Sequence, residues 1–526
     1  MRVAILCNGK DLARWQRQAV DKIADEHELF LLACSEPPPP KRRLRHAAYY
    51  ALNLASIRNR MTRRVPFPET GSGVTDRFDV RPIADGAWAT LPTEAIAWLK
   101  DRDIDAVVKF GLGLLKVPPP DSLPVPILSF HHGDPSAYRG RPAGYYELAN
   151  NEPFVGQVVQ VLSNKLDAGR VVAFAQSRAF RHSYRRTLIE AYALSPHLLA
   201  KALEAVAKDE SLAVSTSGRN YRLPGNLDVA LFLWRRMTAL CKWLAYGAFV
   251  EKRWQVASCD IADGPTPLTT IASAESRPWS IPRILPPFRF HADPFFEGDA
   301  GRFLVEALNG WTGKGEILRI EGESTHRLRG GAGHLSYPVT MDENGQTYVL
   351  PESSEWSPAG IFRLEYDRLV RVGDLDVDSR GLIDPTPFRH DGRLYLFANR
   401  VEDGPSVLHL WSAPSLFGRF ELHPSSPVRI SARGSRMAGE VALWGGQLYR
   451  LGQDCRNGYG DGILAFRIDT LSATHYGEAM IGQASFGQRR GPHTLNKRDG
   501  KLLFDFYSER FSPLAGLRRV AGRTGL

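Results

Sequence analysis

A turn glycine followed by a hydrophobic strand recurs five times in the second half of the chain, and this repeat limits the fold more than any other feature. The glycines are Gly301 before Arg-Phe-Leu-Val, Gly345 before Gln-Thr-Tyr-Val, Gly392 before Arg-Leu-Tyr-Leu, Gly446 before Gln-Leu-Tyr-Arg and Gly500 before Lys-Leu-Leu-Phe. Their intervals are 44, 47, 54 and 54 residues. A unit of that length holds four short strands, the size of one β-propeller blade. A comparable strand starts eight residues ahead of each glycine, around Asp293-Pro294, Tyr337-Pro338, Asp384-Pro385, Ala438-Gly439 and Pro492-His493. A two-sheet sandwich is the alternative. The even repetition favours an all-β C-terminal five-bladed β-propeller over residues 253–515, followed by a basic tail, 516–526.

The first half has another rhythm. Residues 2–8 read as a buried strand, and Leu12, Trp15 and Ala19 then share one helical face. A second strand spans 27–35, so a strand–helix–strand unit opens the chain. This predicts an α/β N-terminal domain over 1–211 with a Rossmann-like, mainly parallel sheet. Four prolines at 37–40 break the pattern, and the basic segment 41–64 reads as a solvated surface helix. Residues 103–115 and 125–151 each begin as strands, and 155–176 alternates like a hairpin around Asp167-Ala168-Gly169. Residues 182–211 are helical.

The stretch 212–252 reads as a connector ending in an amphipathic helix, 228–250, with Leu231, Phe232, Trp234, Trp243, Leu244 and Tyr246. Docking between domains is the expected role. Peripheral membrane contact is the alternative, supported by Lys252 and Arg253. Asp228, Arg235, Arg236 and Lys242 argue against a spanning helix.

The formal net charge of +10 favours acidic partners, among them phosphorylated small molecules and anionic lipids. No aromatic-interleaved basic stripe is evident, so nucleic acid is not an expected partner. Cys7, Cys34, Cys241, Cys259 and Cys455 are scattered with no CxxC pair. Neither a zinc site nor a disulfide framework is expected, and no metal. The sparse cysteines and the short apolar run Val3–Cys7 predict a cytoplasmic protein, with membrane association the variant. The oligomeric state is left open.

The chemistry concentrates in 128–170. His131 falls at the C-terminal end of a predicted parallel strand, where open α/β sheets place their sites. Asp167 lies on a later turn, from which it could orient the histidine or accept a proton. His131, the Tyr138-Arg139-Gly140 turn and Leu166-Asp167-Ala168-Gly169 resemble the signature of the folate-dependent formyltransferases, the family of methionyl-tRNA formyltransferase and the amino-sugar N-formyltransferases. The resemblance covers roughly residues 1–210. It implies catalytic roles for Ser129, His131 and Asp167 and a substrate-binding role for Tyr138, Arg139 and Gly140. It also implies a pterin pocket at Phe110, Gly111, Leu112 and Gly113, with Lys109 nearby. The formyl donor would be 10-formyltetrahydrofolate. The family has Asn where this chain has Ser129, a shorter hydrogen-bond donor.

Methionyl-tRNA formyltransferases carry a small basic barrel after the catalytic domain. A propeller-like half stands there instead, so an amino sugar, not tRNA, is the expected acceptor. This half resembles the N-terminal domain of plant glucosamine inositolphosphorylceramide transferases and, more distantly, the five-bladed glycosidases. The matching segments are His291–Phe296, Ser336–Pro338, Asp384–Phe388, Ser435–Glu440, Gln453-Asp454 and His493–Asn496. That resemblance implies an acidic site of Asp293, Asp384 and Glu440, or glycan binding through Tyr337, Arg436, Asp454, Tyr459 and His493. The expected activity is N-formylation of an amine in polysaccharide or glycolipid assembly. The alternative is a glycan-processing or glycan-binding protein acting through the propeller, with a degenerate formyltransferase domain.

Overall fold

Seven strands make the main sheet of the first unit: β1 (Arg2–Cys7), β2 (Glu28–Cys34), β3 (Asp76–Val80), β4 (Ala106–Lys109), β5 (Ile127–His131), β6 (Phe154–Val161) and β7 (Arg170–Arg178). Their order is β7-β6-β5-β4-β1-β2-β3. The pairs from β5 through β3 are parallel; β6 and β7 pair antiparallel at one side. Val3–Leu6 and Ala106–Val108 are fully buried, which explains why these strands read as continuous apolar runs. This is a computed structural model, and it describes all residues but 36–41, 68–72, 263, 332, 354–358, 457, 488, 525 and 526. The proline run 37–40, the first residue of 41–64 and the last two residues of the tail therefore lie outside the described residues.

The chain divides into two compact units, Met1–Lys242 and Trp243–Leu526. In the first, the helix Tyr184–Ala207 packs on β6 and β7, and Ser183 caps its start by accepting from the Arg186 amide at 3.2 Å. Ser195 on this helix bonds His132 Nε2 at 2.9 Å and Gln157 at 2.8 Å, which pins β5 and β6 to it. Residues 212–252 are not a free connector. Arg219–Tyr221 pairs in parallel with Tyr138–Gly140, and the helix Asn226–Phe249 buries Val229, Phe232 and Arg236. The backbone of 138–140 needs a partner strand, and the connector supplies it.

In the second unit, five antiparallel sheets follow one another along the chain among the described residues. Four have a path of four strands, beginning at Phe288, Ser336, Leu382 and Arg433. The fifth joins the unit's ends: Val250–Asp260 pairs residue for residue with Lys501–Phe511, and Leu495–Arg498 lies on the other side of the latter. The first strands of three sheets share a distortion. Asp293, Tyr337 and Asp384 have φ of 47°, 48° and 48°, and the pairing register breaks at each. Non-glycine residues in the left-handed region are strained, and such strain gathers at functional sites. The segment 516–526 lies mostly in a helix, Ala515–Thr524.

Candidate functional site

Strand alternation decides what β5 presents. Phe130 points to one face, where it stacks on Phe110 at 5.7 Å; Ser129 and His131 point to the other. The buried His131 ring is held on two sides. Nε2 lies 2.9 Å from the Tyr138 carbonyl, and Nδ1 lies 3.5 Å from Asp167 Oδ2. Both ring nitrogens therefore face oxygen acceptors. The Gly140 amide donates to the same Asp167 oxygen at 2.8 Å, and the Arg139 guanidinium donates twice to the Leu166 carbonyl, at 2.6 and 3.0 Å. Tyr138 turns its hydroxyl to Glu152 at 3.0 Å. Half-buried Tyr138, Arg139 and Gly140 thus hold the histidine, the carboxylate and the turn that carries it.

Gly133 shows how tight this cradle is. A Cβ there would sit 2.7 Å from His131 Nε2 and 2.8 Å from the Tyr138 carbonyl. Gly133→Ala is expected to push the ring off Tyr138 and lower stability by about 1–3 kcal/mol. A shifted His131 imidazole resonance in NMR spectra would report it; an unmoved resonance would mean the cradle is loose.

Lys109 lies directly across β4 from Ser129. Burial pushes its ammonium down to about 8, against the opposing pull of Asp167. Among the described residues, neither the Ser129 hydroxyl nor the Lys109 ammonium makes a hydrogen bond. Two donors beside the His131–Asp167 pair are therefore uncommitted. A depressed lysine pKa means the unfolded chain holds more protons between pH 8 and the ordinary lysine value, so folding stability rises with pH across that window. Lys109→Met should stabilise the protein below pH 8 by on the order of 2 kcal/mol, discounted for partial exposure, and the gain should fade toward pH 10. Denaturant melts across this range test it; a constant difference would place the lysine in water.

The loop after β4 is strained. Gly111, Leu112 and Gly113 have φ of 88°, 61° and 60°. A Cβ on Gly113 would meet nothing within 4 Å, so this glycine serves its backbone angle and faces open space. Residues 111–113 donate no backbone hydrogen bond among the described residues. The amides of this open turn are left for a ligand. The Phe110 side chain packs among Trp15 and Phe130 in the core, so what Phe110 brings to the loop is its backbone.

The second unit has its own buried polar cluster. Arg436 binds Asp384 through Nε at 2.5 Å and Nη2 at 3.1 Å, and reaches Glu352 at 3.4 Å. Gln453 donates to Asp384 at 3.2 Å. Tyr337 lies in the same core, 3.0 Å from the Thr386 hydroxyl. His493 stands between Asp505, 2.5 Å from Nδ1, and Asp293, 3.3 Å from Nε2. Asp293, His493 and Asp505 offer ligand atoms within 4.8 Å of one another, a set that could hold a metal ion. Burial and then Asp384 raise the Glu352 carboxyl to about 8. Burial and the charge of Asp293 push Glu306 far up as well. Burial alone would lower the His493 imidazole, but Asp505 and then Asp293 lift it above the usual histidine range.

Two expected members stand apart. The Glu440 carboxylate turns to Arg498, at 3.2 and 3.3 Å, and does not join Asp293 and Asp384. Gly439, at φ 123°, turns the chain just ahead of it. Asp454 accepts from the Arg456 amide at 3.1 Å. In their place the cluster takes Glu306, Glu352 and Asp505, which sequence reasoning passed over. The available signal was an acid inside an otherwise apolar strand, as in Phe303–Leu308 and Leu502–Tyr507.

Residues 285–502 match the family described as glucosamine inositolphosphorylceramide transferase 1, N-terminal. Over 227 residues the chain is 29% identical to glucosamine inositolphosphorylceramide transferase 1 of Arabidopsis thaliana, covering 40% of this chain and 29% of that protein. The chain thus spans under a third of the length of that curated relative. Among solved structures, it is similar to a sugar N-formyltransferase from Shewanella sp FDAARGOS_354, at 16% identity and TM-score 0.28, over 45% of this chain and 87% of that one. It is also similar to a family 117 glycoside hydrolase from Zobellia galactanivorans, at 12% identity and TM-score 0.29, over 41% and 83%.

Proposed function

We propose that the first unit transfers a formyl group from 10-formyltetrahydrofolate to an amine, with an amino sugar in polysaccharide or glycolipid assembly as the acceptor. The observation that carries this is a histidine fixed at a strand end 3.5 Å from a carboxylate, with uncommitted hydroxyl and ammonium donors beside it. The folate would lie against the 111–113 turn and supply the formyl carbon. The Ser129 hydroxyl and the Lys109 ammonium are placed to donate to the oxygen that gains charge as the amine adds. A lysine so near neutrality gives a longer reach than serine and offsets the family's missing amide. The His131 ring, held between the Tyr138 carbonyl and Asp167, stands beside the same place. Asp167, held by the Gly140 amide, is the acceptor for the proton that the attacking amine sheds, and that proton passes to the folate nitrogen as its bond to the formyl carbon breaks.

A second reading rests on the buried cluster of the other unit. We read its five sheets as propeller blades and the Asp384–Arg436–Glu352 and Asp293–His493–Asp505 groups as a glycan-processing or glycan-binding site. A carboxyl raised to about 8 beside one clamped by arginine is the division between proton donor and acceptor that glycoside chemistry requires. One experiment separates the readings. Purified protein is given 10-formyltetrahydrofolate and a panel of nucleotide-linked amino sugars. Tetrahydrofolate release that needs His131 but tolerates Asp293→Asn supports formyl transfer. Turnover that survives His131→Ala and is lost with Asp293→Asn supports the second reading.

A further inference from the structure

The second unit keeps an apolar face that its own packing leaves open. The helix Asn226–Phe249 enters this unit at Trp243, and Ala515–Thr524 docks on its end. Gly516 permits the approach: a Cβ there would lie 3.2 Å from Ala248 Cα. The Arg519 guanidinium donates to the carbonyls of Tyr246, Gly247 and Val250, which the end of a helix otherwise leaves unpaired. Phe249 and Phe511 stack with ring centres 6.0 Å apart, joining the two segments. Phe511, Leu514, Leu517 and Val520 then recur every third residue and are 71%, 50%, 70% and 61% exposed. Trp243 and Leu244 add two more side chains about half exposed. Apolar groups gathered in this way mark a contact surface.

The charges around them identify the partner. Residues 243–253 and 509–520 hold five basic residues and two acidic ones. Of the acids, Glu251 is paired with Arg518 at 3.0 Å and Glu509 accepts from Tyr246 at 2.8 Å. No described helix is long and apolar enough to cross a membrane. A second copy of the same face would set arginines against arginines. We propose that this face seats the protein on an anionic membrane surface. Phe511, Leu514, Leu517 and Val520 enter the boundary between headgroups and acyl chains, while the exposed Arg253 and Arg510 meet lipid phosphates and Arg518 stays with Glu251.

The test is co-sedimentation of the full chain with phosphatidylcholine vesicles, with and without phosphatidylglycerol. It reads binding without turnover, so it stands apart from the formyl-transfer reading. Partition onto the anionic vesicles should be at least about tenfold stronger, weaken with salt, and fall about tenfold or more in Leu517→Glu and in Phe511→Ser. Leu517 is 70% exposed, so the thermal melt of Leu517→Glu should match the parent; Phe511→Ser also gives up the stack on Phe249 and serves as the second variant. Equal partition onto neutral and anionic vesicles would overturn the proposal, and so would no binding at all. A dimer that Leu517→Glu dissociates, without vesicle binding, would assign the face to a second copy instead.

Discussion

Tetrahydrofolate release should fall by about 10³-fold in His131→Ala, the size expected when charge stabilisation and proton handling are lost together. The imidazole is held on both sides, by the Tyr138 carbonyl and by Asp167. Its removal leaves that carbonyl and the carboxylate facing each other with no proton between them. Asp167→Asn should cost about 10²-fold, because the amide keeps the shape but not the charge opposite Nδ1. Ser129→Ala should cost about tenfold, less than a lone oxyanion donor would, since Lys109 stands across the strand pair. The order of the three losses is as informative as their size. Single-turnover rates at saturating donor would measure them. If His131→Ala retained turnover within about threefold of the parent, the acyl-transfer reading of this site would have to be given up.

The repeat in the second half was readable because its glycines answer a backbone demand. Gly345, Gly392, Gly446 and Gly500 all have φ between 73° and 77°, the conformation of a tight strand-to-strand turn. The first turn departs from this: its left-handed residue is Gly298, not Gly301. The pairing of His131 with Asp167 was readable because both lie on short motifs at a strand end and a turn. Roles that depend on side-chain direction were not. Phe110 and Lys109 are neighbours in sequence, yet alternation sends the phenyl ring into the core and leaves the ammonium beside Ser129. Glu440 sits four residues after Arg436, but a left-handed glycine between them turns its carboxylate toward Arg498. Asp505 lies more than 200 residues from Asp293 and meets it only because the unit's last strand pairs with its first. Such contacts are set by closure of the unit, and no local pattern encodes them.

Arg436→Met should lower stability by about 3–5 kcal/mol near pH 8, the cost of stranding a buried carboxylate without its partner. Asp384 is almost wholly buried, and Arg436 is the cation that binds it twice. Gln453 offers one amide proton in addition, too little to offset a full charge. The pH dependence has a definite sign. Glu352 is raised to about 8, so the folded state holds a proton that the unfolded chain gives up near the ordinary carboxyl value. Its contribution favours folding at low pH and is lost as pH rises toward 8. Without Arg436, Glu352 and Asp384 repel more strongly, and the variant can relieve this only by binding a proton. The deficit of Arg436→Met against the parent should therefore be larger at pH 8 than at pH 5. Adding Asp384→Asn removes the stranded charge, and the double variant should recover about half or more of the loss at pH 8. Denaturant melts of the full chain followed by tryptophan fluorescence would measure all three proteins. A loss under about 1 kcal/mol in the single variant, or a double variant less stable than it, would mean that water reaches Asp384 and that the cluster is not the charge-paired core on which the second unit is built.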